Sequence, residues 1–457
     1  MRYLSTRGGT APLSFTQAVL TGLAPDGGLL VPERFPQVAE QLDAWRGLPY
    51  VELAQRIFRL YADDIPGNDL DAIVADAFTA FDHPDIAPLV DLGEISILEL
   101  FHGPTLSFKD IALQILGRLF EYILGDSGRR LNILGATSGD TGSAAIHGVR
   151  GRESLSIFML YPKGRTSHLQ ELQMTTVTDA NVHCLAIDGS FDECQNIVKS
   201  TFADLEFKRR YDLGAVNSIN WARVLAQMSY YTHVGLKSAE PTAFAVPTGN
   251  FGNIFAAIAV REMGVPVGRF TLATNDNDIL ARFFRTGVYR RGTVHHTISP
   301  SMDIQVASNL ERYLWLRCGR DPERVKRFMS QFADTGEASL GDGAPVDPGI
   351  DPVAVDMNAT RATMRDVHSR LGYVLDPHSA VGVAAARKVA NGTVPVCIGA
   401  AHPAKFPDAV TEALGSETGN AVRHPVLDSL DPATARCTEL PADRQAVMDY
   451  IRDNSTP

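Results

Sequence analysis

From about residue 93 onward, short apolar runs alternate with stretches of helical spacing. The runs are Ile95 to Phe101, Leu131 to Leu134, Leu155 to Leu160, Val182 to Ile187, Ala243 to Val246, Phe270 to Ala273 and Val394 to Ile398. Between them, apolar residues recur at three- and four-residue intervals, as in Phe108, Ile111, Ala112, Ile115, Leu119 and Ile123. Strands alternating with helices in this way predict parallel βαβ units, hence an α/β fold. Ligands of such sheets bind at the C-terminal ends of strands, so the strand-to-helix loops are where chemistry is expected. Residues 1–92 read as an N-terminal, mainly helical segment, broken at Ala24-Pro25-Asp26-Gly27-Gly28 and Ile65-Pro66-Gly67-Asn68. Two α/β lobes, 93–240 and 241–425, are expected to follow. Within the second, residues 334–352, rich in Gly, Asp and Pro, predict a surface loop or hinge. Residues 426–457 predict a loose C-terminal cover ending in one helix.

Bulk composition narrows the partners. With 457 residues, 45% of them hydrophobic, the chain can bury a large core divided among two or three domains. A formal net charge of −11 and the absence of a basic tract argue against nucleic acid. No apolar run approaches the ~20 residues of a membrane span, and Met1 to Arg7 lack a signal-peptide core. Cys184, Cys194, Cys318, Cys397 and Cys437 are dispersed without metal-ligand spacing, which suits a reducing cytoplasm and no metal.

The first loop of interest is Phe101-His102-Gly103-Pro104-Thr105-Leu106-Ser107-Phe108-Lys109-Asp110. Ser107 and Asp110 have the spacing of a capping box, with Asp in place of the usual Glu or Gln. Lys109 then falls in the first helical turn, where the helix dipole disfavours a cation by ~0.3–1 kcal/mol. Burial would depress its pKa further, as a Schiff-base lysine requires.

Three more loops carry unusual residues. Gly135 to Ser143, with Thr137, Ser138, Asp140 and Thr141, exposes main-chain N–H groups at a helix start and reads either as an anion seat or as a capped glycine turn. Pro247-Thr248-Gly249-Asn250-Phe251-Gly252-Asn253 lets the backbone wrap a phosphate ahead of a helix, and matches neither the P-loop nor the dinucleotide fingerprint. Gly399-Ala400-Ala401-His402-Pro403-Ala404-Lys405 brings a histidine and a lysine to a sheet mouth, though a capped turn with solvated side chains would look the same. One amine, one anion seat and one phosphate loop together suit pyridoxal 5'-phosphate and an amino-acid substrate.

The motifs at 101–110, 136–142 (Ala-Thr-Ser-Gly-Asp-Thr-Gly), 249–252 (Gly-Asn-Phe-Gly) and 402–406 (His-Pro-Ala-Lys-Phe) resemble those of threonine synthases of the longer bacterial and fungal kind. The likeness extends to Tyr3 to Gly8, Asp26 to Leu29, Val216 to Arg223, Ala273 to Asp278 and Leu375 to Ser379. It implies a two-lobed pyridoxal-phosphate enzyme of the tryptophan synthase β type (fold type II), converting O-phospho-L-homoserine and water to L-threonine and phosphate. By the same likeness Lys109 forms the Schiff base and moves protons. Gly249, Asn250, Phe251, Gly252 and Asn253 hold the cofactor phosphate, and Asp140 faces the cofactor ring. Thr137, Ser138 and Thr141 meet the substrate carboxylate. Asn217, Ser218 and Arg223 line a pocket for the substrate phosphate, with Lys163 and Lys405 as further candidates for it. A cytoplasmic monomer or homodimer is expected.

Two positions depart from the family pattern. Asn253 stands where many such sequences have Asp, and Ala400 stands where a threonine hydroxyl is expected at the pyridine nitrogen. A lost hydrogen bond there is worth ~0.5–1.5 kcal/mol. Ala400 therefore leaves open a relative acting on a different phosphorylated or phosphonate amino acid. A non-catalytic protein that binds pyridoxal phosphate or an amino acid is the further alternative.

Overall fold

The computed structural model describes residues 1–125, 128–341, 345–389 and 395–455. Every predicted apolar run contains a strand, the last of them Val396–Gly399; Val394 lies outside the described residues. They assemble into two sheets. The larger has the order Ile350–Ala354, Val267–Thr274, Thr242–Pro247, Val396–Gly399, Ser96–Glu99 and Leu89–Asp91, parallel except for the last pair. The smaller is wholly parallel, in the order Thr438–Pro441, Val182–Asp188, Leu155–Pro162, Leu131–Ala136 and Leu213–Gly214. The central strands are buried along most of their length, which is why they read as continuous apolar runs rather than as alternating ones.

Spatial order does not follow chain order. Ser96–Glu99, which leads to Lys109, pairs in parallel with Val396–Gly399 and so belongs with the strands of residues 242–274. The boundary drawn at residue 240 therefore does not separate the two sheets. Of the expected loop or hinge at 334–352, residues 342–344 lie outside the described residues, and two strands occupy parts of the rest. Glu337–Ser339 pairs with Val288–Arg290, and Ile350–Ala354 forms an edge of the larger sheet. Past residue 425, Thr438–Pro441 adds a hydrogen-bonded strand beside Val182–Asp188, and the final helix Arg444–Asn454 buries Val447 and Ile451 against Leu185 and Ile187. This end is an integral edge of the smaller sheet, not a loose cover.

The N-terminal segment is mainly helical as expected, with Phe15–Thr21, Tyr50–Tyr61 and Gly67–Phe78, plus a small pairing of Tyr3–Ser5 with Leu30–Pro32. Two later helices position the site: Lys109–Gly125 and Asp140–Val149. They pack backbone to backbone through glycine. A Cβ on Gly117 would lie 1.9 Å from the Gly148 carbonyl oxygen, and one on Gly148 would lie 2.4 Å from that of Leu113. Only residues without a side chain permit that approach, which brings the starts of the two helices together.

Candidate active site

Lys109 is the first residue of its helix and is buried. The loop before it is stitched to the 399–402 loop, with Phe108 N donating to Ala400 O (2.9 Å) and His402 N to Leu106 O (3.0 Å). The predicted capping box forms only by half. Asp110 accepts from Ser107 N at 3.4 Å, but the Ser107 hydroxyl is buried without a partner. Asp110 spends its carboxylate on Thr105 instead, accepting from its N–H (2.9 Å) and its hydroxyl (2.7 Å).

The Lys109 amine lies 3.2 Å from Asp140 Oδ2 and 3.1 Å from Ser301 Oγ. Asp140 is shared: Lys405 Nζ stands 3.1 Å from Oδ1, and Gln170 Nε2 donates to the same oxygen at 2.8 Å. Burial alone would raise the Asp140 pKa, yet Lys109, Lys405 and the Gln170 amide hold it far below the usual carboxylate range. Burial lowers Lys109, and the positive charges of Lys405 and Arg223 lower it further against the pull of Asp140. A permanent carboxylate thus faces an amine that gives up its proton more readily than a free lysine.

The glycine loop is pre-shaped for an anion. Among the described residues, the main-chain N–H groups of Gly249, Asn250, Phe251, Gly252 and Asn253 have no acceptor in the chain. Phe251 holds a left-handed backbone (φ +64°) at the start of the helix Gly252–Glu262, while its ring stacks on Phe284 in the core. Only its main chain faces the seat. Asn309 clamps the loop, donating from its N–H and its amide to Asn250 O (3.0 and 3.1 Å) and from the amide to Ser218 O (3.0 Å). The Asn253 side chain accepts the Tyr230 and Tyr231 hydroxyls (2.6 and 2.7 Å), a job for which a neutral carbonyl serves. These unpaired donors at a helix start fit a phosphate ester such as that of pyridoxal phosphate.

Arg223 is the candidate for a second anion seat. Arg223, in the first turn of the helix Trp221–Gly235, is buried with Nε and Nη1 unpartnered, and burial pulls its pKa down to about 10. A buried guanidinium without a partner is costly unless an anion meets it. Ser218 is linked to the glycine loop through Ser308, whose hydroxyl is 2.8 Å from Ser218 Oγ and donates to Asn250 Oδ1 at 3.1 Å. Asn217 caps its own turn by accepting from Ile219 N.

At the start of the Asp140 helix, Thr137 Oγ1 is committed to the loop, accepting from Gly139 N and Gly142 N. The N–H groups of Ser138, Asp140 and Thr141 have no acceptor among the described residues. Ala400 lies in the same cluster, its N–H donating to Ser379 Oγ at 2.8 Å, so a serine hydroxyl stands directly against the position that lacks one.

Two lysines are placed otherwise than expected. Lys163 is not brought into the cluster: it is half exposed and paired with Glu439 at 2.7 Å, on the edge strand that sequence reading took for a loose cover. Lys405 is fully buried, bonded to Asp140 and to Thr105 O rather than lining the Arg223 seat. Sequence reading missed Ser301, Gln170 and Asn309. Ser301 comes from a short 3-10 turn, Pro300–Met302, with no periodic signal around it, and reaches Lys109 from 192 residues away.

Three family models tile the chain: "Threonine synthase N terminus" over residues 2–78, "Pyridoxal-phosphate dependent enzyme" over 84–337, and "Threonine synthase, C-terminal" over 379–451. A threonine synthase of Pseudomonas aeruginosa is 46% identical, covering 99% of this chain and 98% of its own. The crystal structure of a pyridoxal-phosphate-bound threonine synthase from Brucella melitensis superposes with a TM-score of 0.95 at 43% identity, covering 100% of both chains. That of the yeast threonine synthase gives 0.93 at 38% identity, covering 99% of this chain and 98% of that one. With one model spanning more than half of its length and relatives this similar from end to end, the chain belongs to the threonine synthase family of fold type II pyridoxal-phosphate enzymes.

Proposed function

We propose that this chain converts O-phospho-L-homoserine and water to L-threonine and phosphate, with pyridoxal phosphate held at Lys109. One observation supports the reading: a buried amine, a run of unpaired main-chain donors at 249–253 that Ser301 links to that amine, and a buried guanidinium without a partner whose charge reaches it. An aldehyde, one phosphate ester and a second phosphate ester are what those three features accept. When bound, the cofactor supplies an aldehyde that exchanges between amines and a ring that takes up the electron pair left when a bond at Cα breaks.

The chain's own residues do the rest. Gly249 to Asn253 would seat the cofactor phosphate through their N–H groups, and Asp140, kept ionised by Lys405, would face the ring beside Ala400. Ser138 and Thr141, on the loop that Thr137 braces, would receive the substrate carboxylate at the helix start. Arg223, with Ser218 and Asn217, would grip the substrate phosphate and stabilise it as charge develops on the departing oxygen. Lys109 would move protons at Nζ, and its depressed pKa leaves more of the neutral amine available near neutral pH. The acidic net charge supports a small-molecule partner over nucleic acid, and no helix among the described residues is long and apolar enough to cross a membrane. The reading takes the protein as a cytoplasmic monomer or homodimer.

Incubation of the cofactor-loaded protein with O-phospho-L-homoserine is expected to release phosphate and L-threonine in equal amounts, and Lys109→Ala to release neither. Phosphate without threonine would overturn the reading.

A further inference from the structure

Ser301 touches more of the site than its place in an irregular turn suggests. Its hydroxyl accepts from Lys109 Nζ at 3.1 Å and faces Asp140 Oδ2 at 3.5 Å, and its carbonyl oxygen closes on the glycine loop so tightly that a Cβ on Gly249 would come within 2.8 Å. The turn that carries it is pinned on both sides. Asp303 accepts from Thr297 N and Oγ1 (2.8 and 2.7 Å) and from the amides of Asn275 and Asn277 (2.7 and 3.1 Å). On the other side, the Ser301 N–H donates to His378 Nε2 at 3.2 Å. That bond assigns the tautomer. Nε2 accepts, so Nδ1 carries the proton and donates to Asp376 Oδ1 at 3.0 Å. Asp376 is buried and also accepts from His378 N at 2.9 Å and from the Ser379 hydroxyl, so the imidazole cannot turn.

We propose that Ser301 is a further catalytic residue, its hydroxyl orienting the Lys109 amine during proton transfer, and that His378, held by Asp376, is the positioning residue that places it. The proposal rests on the reading of Lys109 as the proton-moving amine. A proton taken from a substrate carbon ends on Nζ. The resulting ammonium donates to Ser301 Oγ and Asp140 Oδ2, and a proton leaves Nζ again for the accepting carbon. Ser301 keeps its own proton throughout, directed at Asp140. With one bond to a hydroxyl and one to a carboxylate, the third tetrahedral direction of the amine is left for the substrate. The charged groups that act on Lys109 are Asp140 from one helix, Lys405 from the 403–405 turn and Arg223 from another helix, so Ser301 is the neutral partner among ions.

Two readouts on the full-length protein test this. In the chain stripped of cofactor, labelling of Lys109 by an amine-reactive anhydride against pH, followed by peptide mass, reads the titration of the amine. Because Ser301 accepts from the ammonium, Ser301→Ala is expected to move the labelling midpoint to lower pH, and Ser301→Thr to restore it. In the loaded enzyme, Ser301→Ala is expected to lower kcat by about 10- to 100-fold while KM changes less than about threefold. His378→Leu is expected to lower kcat in the same way, and His378→Gln, whose carbonyl can accept the Ser301 N–H, to recover most of it. Folded Ser301→Ala and His378→Leu proteins with wild-type kcat and an unmoved Lys109 midpoint would overturn the proposal. If the wild type made no threonine, the proposed reaction would fail while the labelling midpoints would still decide the role of Ser301.

Discussion

Asp110, one residue from the central amine, shows how burial sets charge in this site. Desolvation pushes its carboxyl up to about 6 in spite of the Thr105 and Ser107 hydrogen bonds. A folded-state pKa above that of the unfolded chain means that the folded protein binds more protons between about pH 4 and that value, so stability falls as pH rises through the window. The urea midpoint of the wild type is therefore expected to fall relative to Asp110→Asn between about pH 5 and about pH 7, by an equivalent of about 1 kcal/mol. Asp140 has the opposite sign: its depressed pKa gives stability that is present above the ordinary carboxylate range and lost in acid. Arg223 makes a kinetic prediction. Loss of a charge-assisted contact worth ~1.5–3 kcal/mol in Arg223→Gln is expected to raise KM for the phosphorylated substrate roughly 10- to 100-fold in initial-rate measurements.

Among the elements, the Lys109 and Asp140 helices matter most, because each begins with one half of the central ion pair. Their spacing depends on Gly117 and Gly148, neither of which can gain a methyl group without displacing main chain. Gly148→Ala is expected to cost at least ~1–3 kcal/mol and to weaken cofactor retention, since it levers apart the residues that flank Nζ. Thermal unfolding and a pyridoxal-phosphate titration on the same preparation check both. The loops that open these helices were legible in the sequence because their signal is local: an apolar run, then glycine and small polar residues, then helical spacing. Ser301, Gln170 and Asn309 were not, because each acts across a long loop closure. Lys163 misled for the converse reason. It follows an apolar strand as a site lysine would, but its side chain is half exposed and is taken up by Glu439 of the C-terminal edge strand.

At the scale of the whole molecule, the alternation of strand and helix revealed the fold class but not which strands share a sheet. Ser96–Glu99 parts from the next strand in sequence, Leu131–Ala136, to lie beside Val396–Gly399, and that crossover makes the site possible. Lys109 follows a strand of the larger sheet and Asp140 one of the smaller, so the 3.2 Å contact between them bridges the two. The glycine loop meets the same junction through Ser301, and the charge of Arg223 reaches Lys109 there. The account requires the phosphate to leave by cleavage of the carbon–oxygen bond, with water entering at carbon. Turnover of O-phospho-L-homoserine in 18O-labelled water distinguishes this from ester hydrolysis. The label is expected in the hydroxyl group of L-threonine and absent from the released phosphate; label in the phosphate, with no labelled threonine, would contradict the account.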